Sequence, residues 1–328
     1  MGFVDKCSFD PTKAGCLGAE VECWTVDRAR VRYKIITPRL FLGKRPVIPD
    51  EGILKPELPV HQIEAVTGIC RDAREIERDL TASRIELDRL GELYGFAVDT
   101  SPTPRFPFKV RVFPKPRYRE IKRRVPEERL RAGWITGLHG HYGCRSLEEA
   151  IRLLNGLRSL IPMFVALSAR SPEYMGVRNG YASERMRMYM TIQTELMPPY
   201  IESVDHLESL ARDRGFDNDP GSCWWGVRIN PRHGTVEVRL MDMQETPQHA
   251  AQFLALLAVV CRQILSGKRA TAHKSADAIS MAIDQAARMG TTHLGHKNEL
   301  LCAMGYARGA GFSSEHSYLT DLYNRLFA

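Results

Sequence analysis

The feature that most limits how this chain can fold is the placement of charged side chains inside short apolar segments. In Gly18-Ala19-Glu20-Val21-Glu22 two carboxylates stand at i and i+2. On a strand both project from one face, while Ala19, Val21 and Cys23 take the other. Two anions side by side repel, so they are stable only when solvated or bound to cations. The same spacing recurs in His139-Gly140-His141 and in Glu237-Val238-Arg239. Alone, a Glu-x-Glu is usually the wet side of a sheet, a His-x-His is as often packing as ligand, and Glu237 with Arg228 or Arg239 makes an ordinary ion pair. Together on separate strands, they give each strand one face for a core and one face able to ligate metal or bind phosphate.

Two further segments extend the set. Residues 224–230 and 235–240 flank Pro231-Arg232-His233-Gly234, a loop whose Pro and Gly suit a hairpin turn. Pairing Asn230 with Thr235 puts Arg228 opposite Glu237 on the face that also carries Arg239. In Pro56-Glu57-Leu58-Pro59 the glutamate belongs to a turn, whereas Glu64 follows inside a strand among Ile63, Ala65 and Val66. A carboxylate in that company is either costly or coordinated. Glutamates with one or two histidines and no clustered cysteine form a hard, oxygen-rich site, suited to magnesium or manganese rather than zinc. Neighbouring arginines suit the clamping of a phosphate during transfer.

Strand-like segments at 18–26, 60–67, 137–143, 224–230 and 235–240, with a period-2 stretch at Phe106, Phe108, Val110 and Val112, give about six strands. Three amphipathic helices stand between and after them. The first places Ala73, Ile76, Leu80, Leu87 and Leu90 on one face. The second opens with the capping box Ser146-Leu147-Glu148-Glu149 and continues through Leu160. The third begins Thr246-Pro247 and runs to Gly267. The expected fold is α/β in the α+β sense: a curved, mainly antiparallel sheet whose concave face carries the charges, with helices on the convex face. One catalytic domain over residues 1–328 accounts for the length. No glycine-rich phosphate loop or dinucleotide fingerprint follows any strand. The longest clean apolar run, Phe253 to Val260, is too short to span a bilayer. Met1-Gly2-Phe3-Val4-Asp5-Lys6 lacks the pattern of a secretory signal, and eight scattered cysteines without a Cys-x-x-Cys pair read as reduced structural thiols, so the expected location is cytoplasmic.

In order and spacing these segments resemble the carboxylate-amine ligases of the type 2 glutamate-cysteine ligase family, whose fold is that of glutamine synthetase. The matching pieces are Gly18 to Glu22, Glu57 with Glu64 and Thr67-Gly68, Gly137-Leu138-His139-Gly140-His141, and Gly234 to Arg239. The most specific stretch is Leu160-Ile161-Pro162, Ala166 to Pro172, Gly176, and Gly180-Tyr181-Ala182-Ser183-Glu184-Arg185. The likeness covers residues 17–265, with a divergent helical part at 268–328. It implies that Glu20, Glu22, Glu57, Glu64, Glu237 and His139 hold magnesium, or manganese, against the phosphates of ATP. It implies that Arg239 steadies the transferring phosphoryl group and that Arg185 grips the substrate carboxylate, which makes Arg239, Glu64 and Arg185 the catalytic candidates. His141 is a candidate for a phosphate contact or an orienting hydrogen bond, and Arg228 and Arg232 are lesser candidates for the same phosphates. The implied reaction is two-step, acyl phosphate first and amide second, on a small-molecule carboxylate and an amine, in a homodimer. A γ-glutamyl ligase acting on an amine other than cysteine is the narrower version. Departures are Thr100-Ser101-Pro102 in place of Thr-His-Pro, and Arg170 in place of a small residue.

Charge distribution raises one alternative. The 46 Lys+Arg exceed 39 Asp+Glu by seven. Residues 105–131 alone hold eleven basic residues against Glu120, Glu127 and Glu128. Phe106, Phe108, Phe113 and Tyr118 interleave with those cations, as in surfaces that combine phosphate attraction with base stacking. A nucleic-acid or carrier-binding protein on an inactive ligase scaffold is therefore the second reading of this stretch. The first is a proline-punctuated basic connection that draws ATP and anionic substrate to the site.

Overall fold

The computed structural model describes residues 2–42, 48, 53–193, 195–292 and 294–328. Its strands are β1 (Leu17–Asp27), β2 (Leu54–Pro56), β3 (Gln62–Val66), β4 (Phe96–Asp99), β5 (Gly137–Gly143), β6 (Val227–Asn230) and β7 (Thr235–Asp242). They form one sheet in the order β2-β3-β1-β5-β7-β6, and every pairing is antiparallel. β1 is long enough to change partner: Glu20 to Trp24 pair β3, and Trp24 to Asp27 pair β4. The sheet thus has seven strands where about six are expected. β2 and β4 are short, and β2 contains a proline, so neither leaves a period-2 signature.

The helices are α1 (Thr37–Phe41), α2 (Ala73–Tyr94), α3 (Pro116–Arg124), α4 (Glu127–Ala132), α5 (Leu147–Arg158), α6 (Ile161–Ser168), α7 (Glu184–Ile192), α8 (Val204–Asp213), α9 (Pro247–Leu265), α10 (Ala276–Met289), α11 (Leu294–Gly309) and α12 (Ser313–Phe327). Their ends follow local chemistry. The Asp72 carboxylate accepts from the Arg74 and Glu75 amides at the start of α2, and Gly95 closes that helix in the left-handed region. Ser146 caps α5, and Thr246 caps α9 ahead of Pro247. The helix expected to continue through Leu160 instead stops at Arg158 and bends by 59° into α6. Pro162 in the first turn of α6 has no amide to donate back to the preceding turn, which fixes a helix start there.

Helices α2, α5, α6 and α9 pack on the apolar face of the sheet. Leu138, Val236, Val238 and Leu240 point into that layer and are fully buried. Gly140 lets α9 come close, since a Cβ there would stand 3.0 Å from Leu257 and 3.2 Å from Leu254. α9 is also the one helix among the described residues whose length and composition would suit a membrane span; here it is the central core helix, packed against α2, α5, α12 and β5. α10 to α12 cover α6, α7 and α9.

Residues 105–131 differ from expectation. The stretch from Phe106 to Val112 keeps its alternation, with the odd positions exposed and the even positions turned inward, but it forms no strand. Prolines at 104, 107 and 114 limit it to a single bridge between Val112 and Pro59. The remainder is not an irregular connection but the two short helices α3 and α4.

Candidate active site

Four registers assemble the charged face. β1 pairs Glu22 with Glu64 of β3 and Glu20 with His139 of β5. β5 pairs His141 with Glu237 of β7, and β7 pairs Glu237 with Arg228 of β6. Because side chains alternate along each strand, these pairings lay one row of polar groups across five strands on the side away from α9.

The row has two electrostatic halves. In the first, Glu237 is fully buried and receives Arg228 through a fork, Nε to Oε2 at 2.8 Å and Nη2 to Oε1 at 3.1 Å. The Arg239 guanidinium joins it on Oε1, and Asn230 Nδ2 donates to Oε2 at 3.1 Å. Burial opposes the charge on Glu237, but Arg239 and Arg228 outweigh it and hold the carboxyl below its ordinary range. His141 Nε2 stands 3.4 Å from Glu20 and 3.9 Å from Glu237, and its Nδ1 meets the Thr235 hydroxyl at 2.9 Å. Burial works against the imidazolium of His141, yet Glu237 and Glu20 together raise its pKa. His139 is different: burial, aided by Arg239, pushes it down to about 4, so it is a neutral ring whose Nδ1 lies 3.1 Å from Glu20. Burial likewise opposes the charge of Glu20, and the two histidines overcome it and lower its pKa.

The second half has no such balance. Glu22, Glu57 and Glu64 bring carboxylate oxygens within 4.8 Å of one another. The nearest salt-bridging cation, Lys55 Nζ, is 3.9 Å from Glu64. Glu22 accepts from the Gly137 amide at 2.7 Å and Glu57 from the Leu58 amide at 2.9 Å. Burial first, and then Glu57, pushes the Glu22 carboxyl up to about 8. Glu64 is raised well above its ordinary value by burial and by Glu20, Glu57 and Glu22. By the chemistry of the donors, three buried or half-buried carboxylates sharing one spot are able to hold a cation. Glu20, His141 and Glu237 form a second group of the same compactness. His139 falls outside both groups and touches Glu20 from the side.

Two chambers meet at Glu20. A cleft of about 500 Å³ is lined by Glu20, Glu22, Glu57, Glu64, His139, Arg185, Arg228 and Arg239. The other, about 330 Å³, holds His141, Arg232, His233, Lys13, Lys55 and Thr67. Arg232 is thus on the far side of Glu20 from Arg239. Arg170 lines neither chamber; its Nη1 donates to the carbonyls of Thr100 and Met243, both at 2.9 Å. The residue that differs from the family at position 170 thus lies outside both chambers and ties the Thr100 and Met243 backbones together.

Arg185 is almost fully buried on α7. Its Nη2 donates to the Arg239 carbonyl at 3.1 Å, and its Nε and Nη1 have no partner among the described residues. The guanidinium occupies the space where a Cβ on Gly137 would be. Gly137→Ala is therefore expected to push the guanidinium off its position: if Arg185 holds substrate, KM should rise about tenfold at little change in kcat, and the overpacking should lower stability by about 1–3 kcal/mol, measured by steady-state kinetics and thermal unfolding.

Three further residues support the site: Ser171 and Ser183 lie in the stretch most specific to the family likeness, and Asp242 carries no sequence signal of its own. Asp242 at the end of β7 accepts from the hydroxyls of Ser171 and Ser183, each at 2.7 Å, and from the Arg170 amide at 2.9 Å. Ser183 caps α7, and Ser171 Oγ accepts from the Arg185 amide. Asp242 thereby ties the start of α7 to the strand bearing Glu237 and Arg239. A β-bulge lies in β7 opposite the step from Leu138 to Gly140 and breaks the alternation that would have pointed to Asp242. The backbone next to Ser183 is held from the C-terminal layer, since the amides of Ala182 and Ser183 donate to the Ala287 carbonyl at 2.8 and 2.9 Å.

The aromatic residues of the basic segment face inward. Phe113 is fully buried, Phe108 stacks on Trp134, and Phe106 packs edge-on to Tyr33. Lys122, Arg123 and Arg124 face solvent. These three cations are turned away from the rings, whereas Arg131 lies over Phe108 at 5.1 Å and Arg105 over Phe106 at 5.7 Å.

Comparison with known proteins gives a consistent result. The model of glutamate-cysteine ligase family 2 matches residues 16–305, which carries the likeness beyond residue 265 through α10 and most of α11. A relative from Rubrobacter xylanophilus, provisionally named glutamate–cysteine ligase 2-3, is 34% identical over 253 residues, covering 73% of this chain and 67% of its own. A glutamate–cysteine ligase from Natronomonas pharaonis is 31% identical over 260 residues, covering 77% and 70%. Among solved structures, a bifunctional glutathione synthetase from Pasteurella multocida superposes with TM-score 0.67 at 12% identity over 96% of this chain, which spans about half (47%) of that protein. The glutamate–cysteine ligase of Francisella tularensis in complex with AMP gives TM-score 0.58 at 12% identity, covering 95% and 81%. At that identity these two show the fold, a mixed α/β ligase fold built on an antiparallel sheet.

Proposed function

The chain belongs to glutamate-cysteine ligase family 2, and from that premise we propose that it is an ATP- and magnesium-dependent ligase that joins a carboxylate to an amine through an acyl phosphate. The observation that carries the reading is the triad Glu22, Glu57 and Glu64, three buried or half-buried carboxylates with Lys55 as their one salt-bridging cation among the described residues, beside Glu237 with its two arginines. The triad and the group of Glu20, His141 and Glu237 would hold the metal, magnesium or manganese. Bound there, the metal neutralises phosphate charge and aligns the transferred group.

The rest follows from the chain's own residues. A carboxylate oxygen of the donor attacks the γ-phosphorus of ATP, and ADP leaves. The amine nitrogen then attacks the acyl carbon, loses a proton, and inorganic phosphate leaves. Arg239 is fixed by Glu237 at the floor of the cleft, where a rigid cation stabilises charge developing on the phosphoryl oxygens. Arg185, with two donors free, holds the donor in place. Lys13, Lys55 and Arg232 make the smaller chamber the cationic side, suited to the remaining phosphates of the nucleotide. The AMP in the Francisella tularensis ligase accords with nucleotide use in this fold.

The test is stoichiometric. Purified protein with magnesium, ATP and pools of carboxylic acids and amines should release ADP and phosphate only when both an acid and an amine are present. Glu20→Ala should weaken magnesium-dependent nucleotide binding measured by calorimetry. Phosphate release that ignores the acceptor, together with unchanged nucleotide binding in Glu20→Ala, would sink the proposal.

A further inference from the structure

The basic segment has an inner side that charge counting hides. Along α3, Tyr118, Ile121 and Val125 recur at spacings of three and four, and all three are half-buried and line the cleft. Leu130 on α4 and Ile192 on α7 continue the same apolar wall, with Trp224 beside them. The same cleft is lined by Glu22, Glu57, Glu64 and Arg239. Behind the wall these side chains pack on the hydrophobic clusters of the core, and the part of each that faces the cleft is apolar surface on which an apolar ligand body would displace water.

We propose that the amine substrate carries an apolar body, arylalkyl or branched alkyl, seated between α3–α4 and α7; this rests on the ligase reading above. The placement follows from charge. The donor's carboxylate is drawn to the cationic and metal-holding floor and to Arg185, the one almost fully buried arginine of the cleft with free donors. The amine must reach the acyl carbon from the side opposite that floor, so its body lies against the wall of α3, α4 and α7. Two cations of the segment also line this cleft, and each is engaged: Arg117 pairs with Asp219, and Arg129 donates to the Ile192 carbonyl.

The experiment crosses a set of donor acids with phenethylamine, isoamylamine, ethanolamine and cysteine, and reads phosphate release. With any acid that supports turnover, the two apolar amines should exceed ethanolamine and cysteine in kcat/KM by at least about tenfold, the discrimination a few buried methylenes supply. Ile121→Asn and Ile192→Asn, on separate helices, should each bring that ratio toward one while the donor KM stays unchanged. Phenethylamine should also perturb the fluorescence of Trp224, an effect missing in Trp224→Phe. Equal or better turnover with cysteine or ethanolamine overturns this inference and leaves the ligase reading standing. Phosphate release with no pair at all overturns both.

Discussion

Glu237→Ala is expected to cost about 3–5 kcal/mol of stability, the usual loss when one partner of a buried ion pair is removed. The side chain is fully buried and accepts from Arg228, Arg239 and Asn230 at once. Without it, two guanidiniums side by side repel each other in a poorly solvated site. For a domain whose whole stability is about 5–15 kcal/mol, that is a large fraction. Urea unfolding should show the midpoint falling with little change in slope. Glu237→Gln, which keeps the volume and one acceptor, should lose less. An unchanged midpoint in Glu237→Ala would mean that this carboxylate does not balance the two arginines.

Glu64→Gln should act in the opposite direction on stability while removing activity. In the metal-free protein the triad repels itself, and Glu22 and Glu64 are raised in pKa. A carboxyl raised in the folded state holds a proton that the unfolded chain has already released. Stability therefore declines as pH climbs from the ordinary 4.5 through about 8 for Glu22. His61 and His139, both held neutral by burial with values near 4, work the other way up to their ordinary 6.5. The window from 6.5 to 8 consequently isolates the decline, at about 2 kcal/mol per coupled proton. His141 contributes in the same direction, because its raised value means a proton lost on going up. In chelator, the melting temperature should fall across this window, and magnesium should restore it more at pH 8 than at pH 6.5. Glu64→Gln should flatten the metal-free decline and raise the melting temperature at pH 8. The same substitution should lower ligase turnover about a thousandfold, as expected when a metal site worth several kcal/mol in the transition state is lost. A magnesium effect that is flat in pH, or a Glu64→Gln protein no more stable than the parent at pH 8, would argue against a cation at the triad.

Much of the site was legible because sheets translate spacing into direction. Glu20 with Glu22, His139 with His141, and Glu237 with Arg239 needed only alternation to be placed on one face, and the turn at residues 231–234 fixed Arg228 opposite Glu237. Alternation says nothing about which strands are neighbours, so the two halves of the site became visible only with the registers. His139 and His141 look equivalent along the chain. Burial with Arg239 lowers the pKa of one, whereas Glu237 and Glu20 raise that of the other. Asp242 escaped because the bulge shifts the phase of β7. The strand expected at 106–112 had the right side-chain pattern and the wrong backbone, since its prolines withhold the amides that a ladder requires. α3 and α4 were hidden for a related reason: a helix whose outward face is almost wholly basic reads as a charged run, and its inner stripe is only three residues deep.

The hold of Ala287 on the segment before α7 has a consequence for how the chain can vary. The contact is made by a backbone carbonyl, which every amino acid supplies, so the solvent face of α10 is free to change while Ile279, Ile283, Ala286 and Ala287 keep the helix seated under Ser183 and, through it, Arg185. What matters is that a helix is present and seated there. A region can thus drift over much of its surface while remaining a mechanical part of the machinery.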